Sequence, residues 1–286
     1  MNPQLRDKIE RISNLPTLPQ VASRLLEMVN DTETNAADVA SLVSQDVSLS
    51  AKILRLANSA FYGTPRSIST IQTAVVRLGF KVINTLVLSL TVFDMFPVSR
   101  RAVRFDRKAF WHHCVRCGLL AKILAQRGGG RAAEPEEAFC AGLLHDIGKV
   151  VMEQYLHEDF TAALEYARQQ QKAYCTAEVE TLGYSHTDVA AWLISRWDLP
   201  DTLSVPITHH HAPLDADPFE GMAGICHCAD FLCYGTEIAD PDAGVPPPLS
   251  EASLAPARLS PDDLEPVRER FAQELEKMSP FFELVG

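Results

Sequence analysis

Apolar residues in this chain recur at intervals of three and four and show no sustained alternation. Val21, Leu25, Met28 and Val29 form one such set, Val39, Leu42 and Val43 a second, and Leu49, Ile53, Leu54 and Leu56 a third. That spacing lines one face of a helix, whereas a half-buried strand needs a period of two. The pattern predicts an all-α protein. Punctuation residues divide it. Leu15-Pro16-Thr17-Leu18-Pro19 makes a rigid entry, Thr34 or Asn35 can cap a helix, and Asp46 stands just ahead of the next. Ile71 to Phe96 reads as two helices interrupted near Gly79, and Phe110 to Ala125 as a helix closed by Gly128-Gly129-Gly130. Pro135 to about Leu156 reads as one continuous helix. Weaker segments follow at 160–171 and 176–182, and clearer ones at 187–196 and 223–234. From Asp240 to Pro261 six prolines and little periodicity predict a linker or surface loop. Ser260 and Asp263 then suit the cap of a last helix carrying Leu264, Val267, Phe271 and Leu275.

A chain of 286 residues can hold two ordinary cores. The expected division is a multi-helical amino-terminal unit, 1–105, packed on a second helical domain, 106–240. A proline-rich linker follows at 241–261, and a final helix within 262–286 folds back. The charge is uneven: residues 1–110 hold 14 Lys and Arg against 9 Asp and Glu, a net +5, and the remainder 12 against 28, a net −16. A basic stretch, Arg100 to Lys108, joins the two parts. The apolar run Val82 to Phe93 is 12 residues long, short of the roughly 20 that span a bilayer. The first residues, MNPQLRDKIERIS, lack the apolar core of an export signal, which points to the cytoplasm and away from a membrane. Seven cysteines, an odd number, then read as reduced thiols. Cys114 with Cys117 and Cys226 with Cys228 lie in contexts too apolar for a four-thiolate zinc site, and no basic stripe suggests nucleic acid.

The sharpest chemical feature is Leu143-Leu144-His145-Asp146-Ile147-Gly148-Lys149. It sets two metal-competent side chains side by side in an apolar helix, about 100° apart around the axis. Buried unpaired, either would be costly, so each needs an ion or a firm hydrogen-bond partner. A satisfied helix pair explains His145-Asp146 equally well when it is taken alone. His113, His186, His210, His211 and Asp230 widen the set, and imidazole nitrogen with carboxylate oxygen suits Fe, Mn, Zn and similar ions. Four or five such groups can hold one ion and all seven can hold two. His209-His210-His211 also reads as a surface turn.

Taken together these stretches resemble a known family. LPTLP, Asp46, AKILRLANSAFYG and IQTAVVRLGF within 15–96 are similar to the amino-terminal part of HDOD proteins, the HD-related output domain proteins of bacterial signalling. FWHHC, AGLLHDIGK, LGYSHTDVAAWLISRWDLP and ITHHHAP within 110–234 are similar to the HD-like part. The resemblance implies a primary metal set of His113, His145, Asp146 and Asp230. Comparison with the related HD-GYP phosphodiesterases adds His186, His210 and His211, with Lys149 in the place of a substrate-binding lysine. His112 has the weaker claim beside His113. Many HDOD proteins are degenerate at these positions, whereas this chain resembles a complete set.

Two departures bear on activity. Where HD-GYP proteins carry a Gly-Tyr-Pro segment this chain has Ala212-Pro213-Leu214-Asp215-Ala216-Asp217-Pro218, and Ala109 stands where some multi-metal relatives have a further carboxylate. The expectation is therefore a regulatory protein holding one or two divalent ions (Fe, Mn, Zn, Ni, Co or Mg), with a separate signalling protein as partner. A phosphate-containing small molecule is the implied ligand. The alternative is a metal-dependent phosphohydrolase, in which Asp146 and Lys149 would be the catalytic pair. Asp188 reads as a helix amino-terminal charge or a support to the ligands.

Overall fold

The computed structural model describes residues 2–12, 14–29, 31–64, 66–96, 105–130, 132–234 and 245–284. Among them every extended element is helical and no strand occurs. The chain forms two compact units, a larger one of residues 1–16 and 98–268 and a smaller one of 17–97 and 269–286.

The larger unit begins with α1 (Pro3–Ile9). The smaller then takes α2 (Gln20–Val29), α3 (Ala36–Val43), α4 (Val47–Ala57), α5 (Ile71–Leu78) and α6 (Phe80–Met95). Asn35 caps α3 in a reciprocal box with Asp38, and Asp46 caps α4 by accepting from the Leu49 amide at 2.9 Å. Gly79, at φ 91°, adopts the backbone conformation that parts α5 from α6. Apart from Asn84, every residue from Val82 to Phe93 is buried. A helix that is apolar all round is the centre of its own core: α6 packs against α2, α4 and α5. Among the described residues no helix is long and apolar enough to cross a membrane.

The larger unit resumes with α7 (Arg107–Arg127), α8 (Pro135–Leu144), α9 (Ile147–Tyr155), α10 (His157–Gln170), α11 (Tyr174–Leu182), α12 (His186–Trp197), α13 (Asp201–His209) and α14 (Glu220–Tyr234). α7 and α8 form its most extensive pairing. Glycine makes that approach possible, because a Cβ at Gly118 would stand 2.9 Å from the Phe139 carbonyl, and one at Gly142 2.8 Å from that of Cys117. α14 packs on α7 and α8, and α12 packs on α9 and α13. α15 (Leu264–Leu275) carries the chain across the division between the units, and α16 (Ser279–Leu284) packs on α4.

The structure corrects the sequence reading in two places. The single helix expected from Pro135 to Leu156 breaks at His145-Asp146, with Asp146 at φ −98° and ψ 12°. The described part of the proline-rich stretch, from Val245, is loop with one short 3-10 turn, yet Ser253, Leu254 and Ala257 are buried. It packs against small residues: a Cβ at Gly224 would come 2.5 Å from the Ser253 carbonyl and one at Gly128 2.7 Å from that of Ala257. Of the basic connection expected at 100–108, residues 100–104 lie outside the described residues. Of the remainder, Arg107 is buried in an ion pair with Glu153.

Candidate metal centre

The helix break is where the site begins. At His145 the α8 helix has run out of amide partners for its last carbonyls, and the ring meets one of them: Nδ1–H donates to the Gly142 carbonyl at 2.7 Å. That bond assigns Nδ1 a proton, so the neutral ring presents its Nε2 lone pair inward. The same device recurs at the end of α13, where His210 Nδ1–H donates to the Ile207 carbonyl at 2.8 Å. His186, the first residue of α12, donates Nδ1–H to the Glu178 carboxylate at 2.6 Å. Three imidazoles thus turn Nε2 toward one interior. His113, on the buried face of α7, and Asp230, on α14, arrive because those helices pack together.

Two clusters of candidate metal-binding residues result, His113 with Cys117, His145 and Asp230, and Asp146 with His186, His210 and His211. Within each, one donor atom per residue lies within 4.8 Å of the others. Asp230 Oδ1 stands 3.3 Å from His113 Nε2 and 3.6 Å from His145 Nε2. Asp146 lies between the clusters. Its Oδ2 is 3.2 Å from His145 Nε2 and 3.7 Å from His113 Nε2, and its Oδ1 is 3.2 Å from His186 Nε2 and 3.7 Å from His210 Nε2. His211 Nε2 approaches His186 Nε2 to 3.2 Å. Lys149 reaches back along α9 to donate to Asp146 Oδ2 at 2.6 Å, and its side chain is buried.

The donors fit a cation. His145 Nε2, Asp146 Oδ1 and Asp230 Oδ1 are buried with no hydrogen-bond partner, which a folded chain rarely tolerates. Atoms bound to one ion at about 2.0–2.2 Å lie roughly 3.2–3.6 Å from one another, close to the 3.2–3.7 Å that separates the imidazole nitrogens from the two carboxylates here. The electrostatics agree. Burial opposes ionisation of Asp146, but His145 and Lys149 outweigh it and hold the carboxyl well below its usual range. Asp230 is likewise held down against burial by His113 and His145. Burial also opposes a charged His145, yet Asp146 and Asp230 lift its pKa to about 8, and Glu178 with Asp146 lifts His186 to about 9. Burial and the neighbouring His186 push His211 down to about 3. The pocket keeps its carboxylates ionised and draws positive charge toward them.

All seven residues singled out as ligands from the sequence are brought together. His112 and His209 fall outside both clusters, and His209 turns Nδ1 to the Val205 carbonyl at 3.1 Å. Of the histidine triplet, His210 is fully buried and His211 half-buried, so this part of the chain is no surface turn. Asp188 accepts from the Ser185 amide at 2.8 Å and caps α12. Lys149, which could have been a solvent-facing charge, is in the pocket. Two residues escaped the sequence reading. Glu178 lies eight positions before His186 across a turn, with no local pattern to link them. Cys117 could have been found from its place one helical turn after His113.

With this geometry in view, comparison with known proteins is informative. A protein of Treponema pallidum (strain Nichols), described as uncharacterized, is 27% identical over 202 residues, covering 71% of this chain and 38% of that protein. The chain therefore spans well under half of that relative's length. An HDOD domain protein of unknown function from Geobacter sulfurreducens is 25% identical, with a TM-score of 0.80 over 96% of both chains. A Shewanella amazonensis SB2B protein, provisionally described as a phosphohydrolase, is 27% identical, with a TM-score of 0.74 over 97% of both. The HDOD domain itself matches residues 15–213, more than half of the sequence, and the chain belongs to the HDOD family.

Proposed function

We propose that this chain is a signal-transduction module whose buried pocket binds one or two divalent metal ions. His113, His145 and Asp230 would hold one ion, His186, His210 and His211 the other, and Asp146 would be shared between them. The observation that carries this reading is the convergence of buried, unpartnered donor atoms from His145, Asp146 and Asp230 on one interior. The nitrogen-rich set favours Fe, Mn, Zn, Ni or Co over Mg, which prefers oxygen. The sequence features that restrain an enzymatic reading are Ala109 and the segment Ala212–Pro218 in place of Gly-Tyr-Pro. A separate signalling protein is the proposed partner.

Metal analysis of protein purified without an affinity tag tests the pocket. The expected result is at least one equivalent of a transition metal, with Asp146→Ala reducing it while helicity is retained. Metal-free protein that gains no thermal stability from any of these ions would refute the proposal.

A second reading is supported by Lys149, a buried cation beside Asp146. A divalent ion bound here would polarise a phosphoryl oxygen and lower the pKa of bound water. Lys149 would then offset charge on a phosphate ligand, and Asp146 would orient the lysine through its 2.6 Å contact. Turnover of cyclic dinucleotides, cyclic mononucleotides or simple phosphodiesters, lost in a folded Asp146→Ala protein, would establish hydrolysis and displace the regulatory reading.

A further inference from the structure

We infer that Cys117 is a thiolate ligand in the first cluster, joining His113, His145 and Asp230 to make a nitrogen, oxygen and sulfur site. The inference rests on the metal-binding reading above and adds a soft donor to it. His113 and Cys117 are one turn apart on α7 and so share a face. Cys117 Sγ is 3.4 Å from His113 Nε2, the spacing expected of two donors on one ion. The other two members supply independent evidence of a ligand: His145 Nε2 and Asp230 Oδ1 are buried and unpartnered within the same cluster.

Other buried cysteines do not share this placement. Cys114, Cys140, Cys226, Cys228 and Cys233 belong to neither cluster; Cys233 donates to the His113 carbonyl at 4.0 Å and its thiol also meets the His113 and Cys117 side chains, without joining that donor set. Cys117 would stand beside the shared Asp146, not in its place: Oδ2 faces His145 in the first cluster while also accepting from Lys149 at 2.6 Å, and Oδ1 faces the second cluster. Gly142 fixes the arrangement from the α8 side. It leaves room for the Cys117 carbonyl, which a Cβ would meet at 2.8 Å, while its own carbonyl holds the His145 ring. One glycine therefore sets the distance between the cysteine-bearing helix and the histidine that completes the site.

On binding, the Cys117 S–H bond breaks, a sulfur–metal bond forms and the proton passes to water. A thiolate selects Zn, Co or Fe over Mn and Mg, so the two clusters would differ in the ions they prefer.

The test is Co²⁺ titration of chelator-stripped, full-length protein, read by absorption and by bound stoichiometry. The expected result is an intense near-ultraviolet sulfur-to-cobalt charge-transfer band. Cys117→Ser and Cys117→Ala abolish it, whereas Cys114→Ser and Cys233→Ser keep it. The preference for Zn²⁺ over Mn²⁺ should fall with it, and circular dichroism checks that each variant is folded. Cobalt bound without the band, or a band that survives Cys117→Ser, overturns the thiolate and leaves the pocket standing. Failure to bind Co²⁺, Zn²⁺ or Mn²⁺ at all overturns both.

Discussion

Glu178 shows how one residue outside a ligand set can govern it. Its carboxylate accepts a hydrogen bond from His186 Nδ1–H at 2.6 Å, so the ring presents Nε2 to the pocket and gains basicity there. Carboxylates that hold a ligating histidine in this way are worth about 10–100-fold in metal affinity. Glu178→Gln keeps an acceptor but removes the charge, so affinity at the His186 position should fall at least about tenfold. Competition against a chromophoric chelator measures it, and an unchanged affinity would rule out this role. The neutral His211 beside His186 has the opposite job, since it adds a lone pair without adding charge.

At the scale of the helices, the tightest glycine contact among the described residues is that of α9 against α12. A Cβ built on Gly148 would lie 1.9 Å from the His186 carbonyl oxygen. In an open helix Gly→Ala gains up to about 1 kcal/mol. Here the added methyl meets backbone that cannot swing aside, and Gly148→Ala should instead cost about 1–3 kcal/mol. Because Asp146 and Lys149 lie on one side of that contact and His186 on the other, metal binding should weaken too. Thermal melts with and without metal check both effects, and a variant as stable as the parent would disprove the close packing. The elements themselves were largely legible, since three-and-four spacing and the caps at Asn35, Asp46 and Ser260 mark where helices start. The break at His145-Asp146 was hidden. Neither residue is a breaker, and Leu143, Leu144 and Ile147 continue the helical pattern across it. Proline likewise masked Ser253 and Ala257, which are buried against glycines far away in sequence. The ligand histidines were found from family-like motifs taken together. Cys117 was missed because a cysteine among apolar neighbours reads as core, and Glu178 because its partner is fixed only by tertiary packing.

Across the larger unit, the loop after Val245 is tied to the pocket through His227. That ring donates Nδ1–H to the His210 carbonyl at 2.8 Å and accepts the Ser250 amide at Nε2, 2.9 Å away. Burial lowers its pKa, against the opposing pull of the His210 carbonyl and Asp230. A histidine whose pKa falls on folding stabilises the native state fully above its ordinary value, about 6.5, and loses that contribution as the pH drops through it toward the lower folded value. Protonation would also remove the acceptor for Ser250. Metal-free protein should therefore lose stability between neutral and mildly acidic pH more steeply than His227→Gln, by up to about 1.4 kcal/mol per pH unit. Parallel slopes for the two proteins in unfolding experiments would exclude the mechanism.

The pocket's burial also sets a timescale. His113, His145, Asp146, His186, His210 and Asp230 are almost wholly removed from solvent, and they come from α7, α14 and the ends of α8, α12 and α13. Of the seven ligands only His211 is half-buried, so an ion seated among them would meet water chiefly past that one ring. Its exchange with the medium would keep pace with the opening of the helices around it, on the slow clock of local unfolding. Occupancy would then be settled as the chain folds and persist afterwards, so the ion carried would record the metal supply at synthesis and change little with later fluctuations.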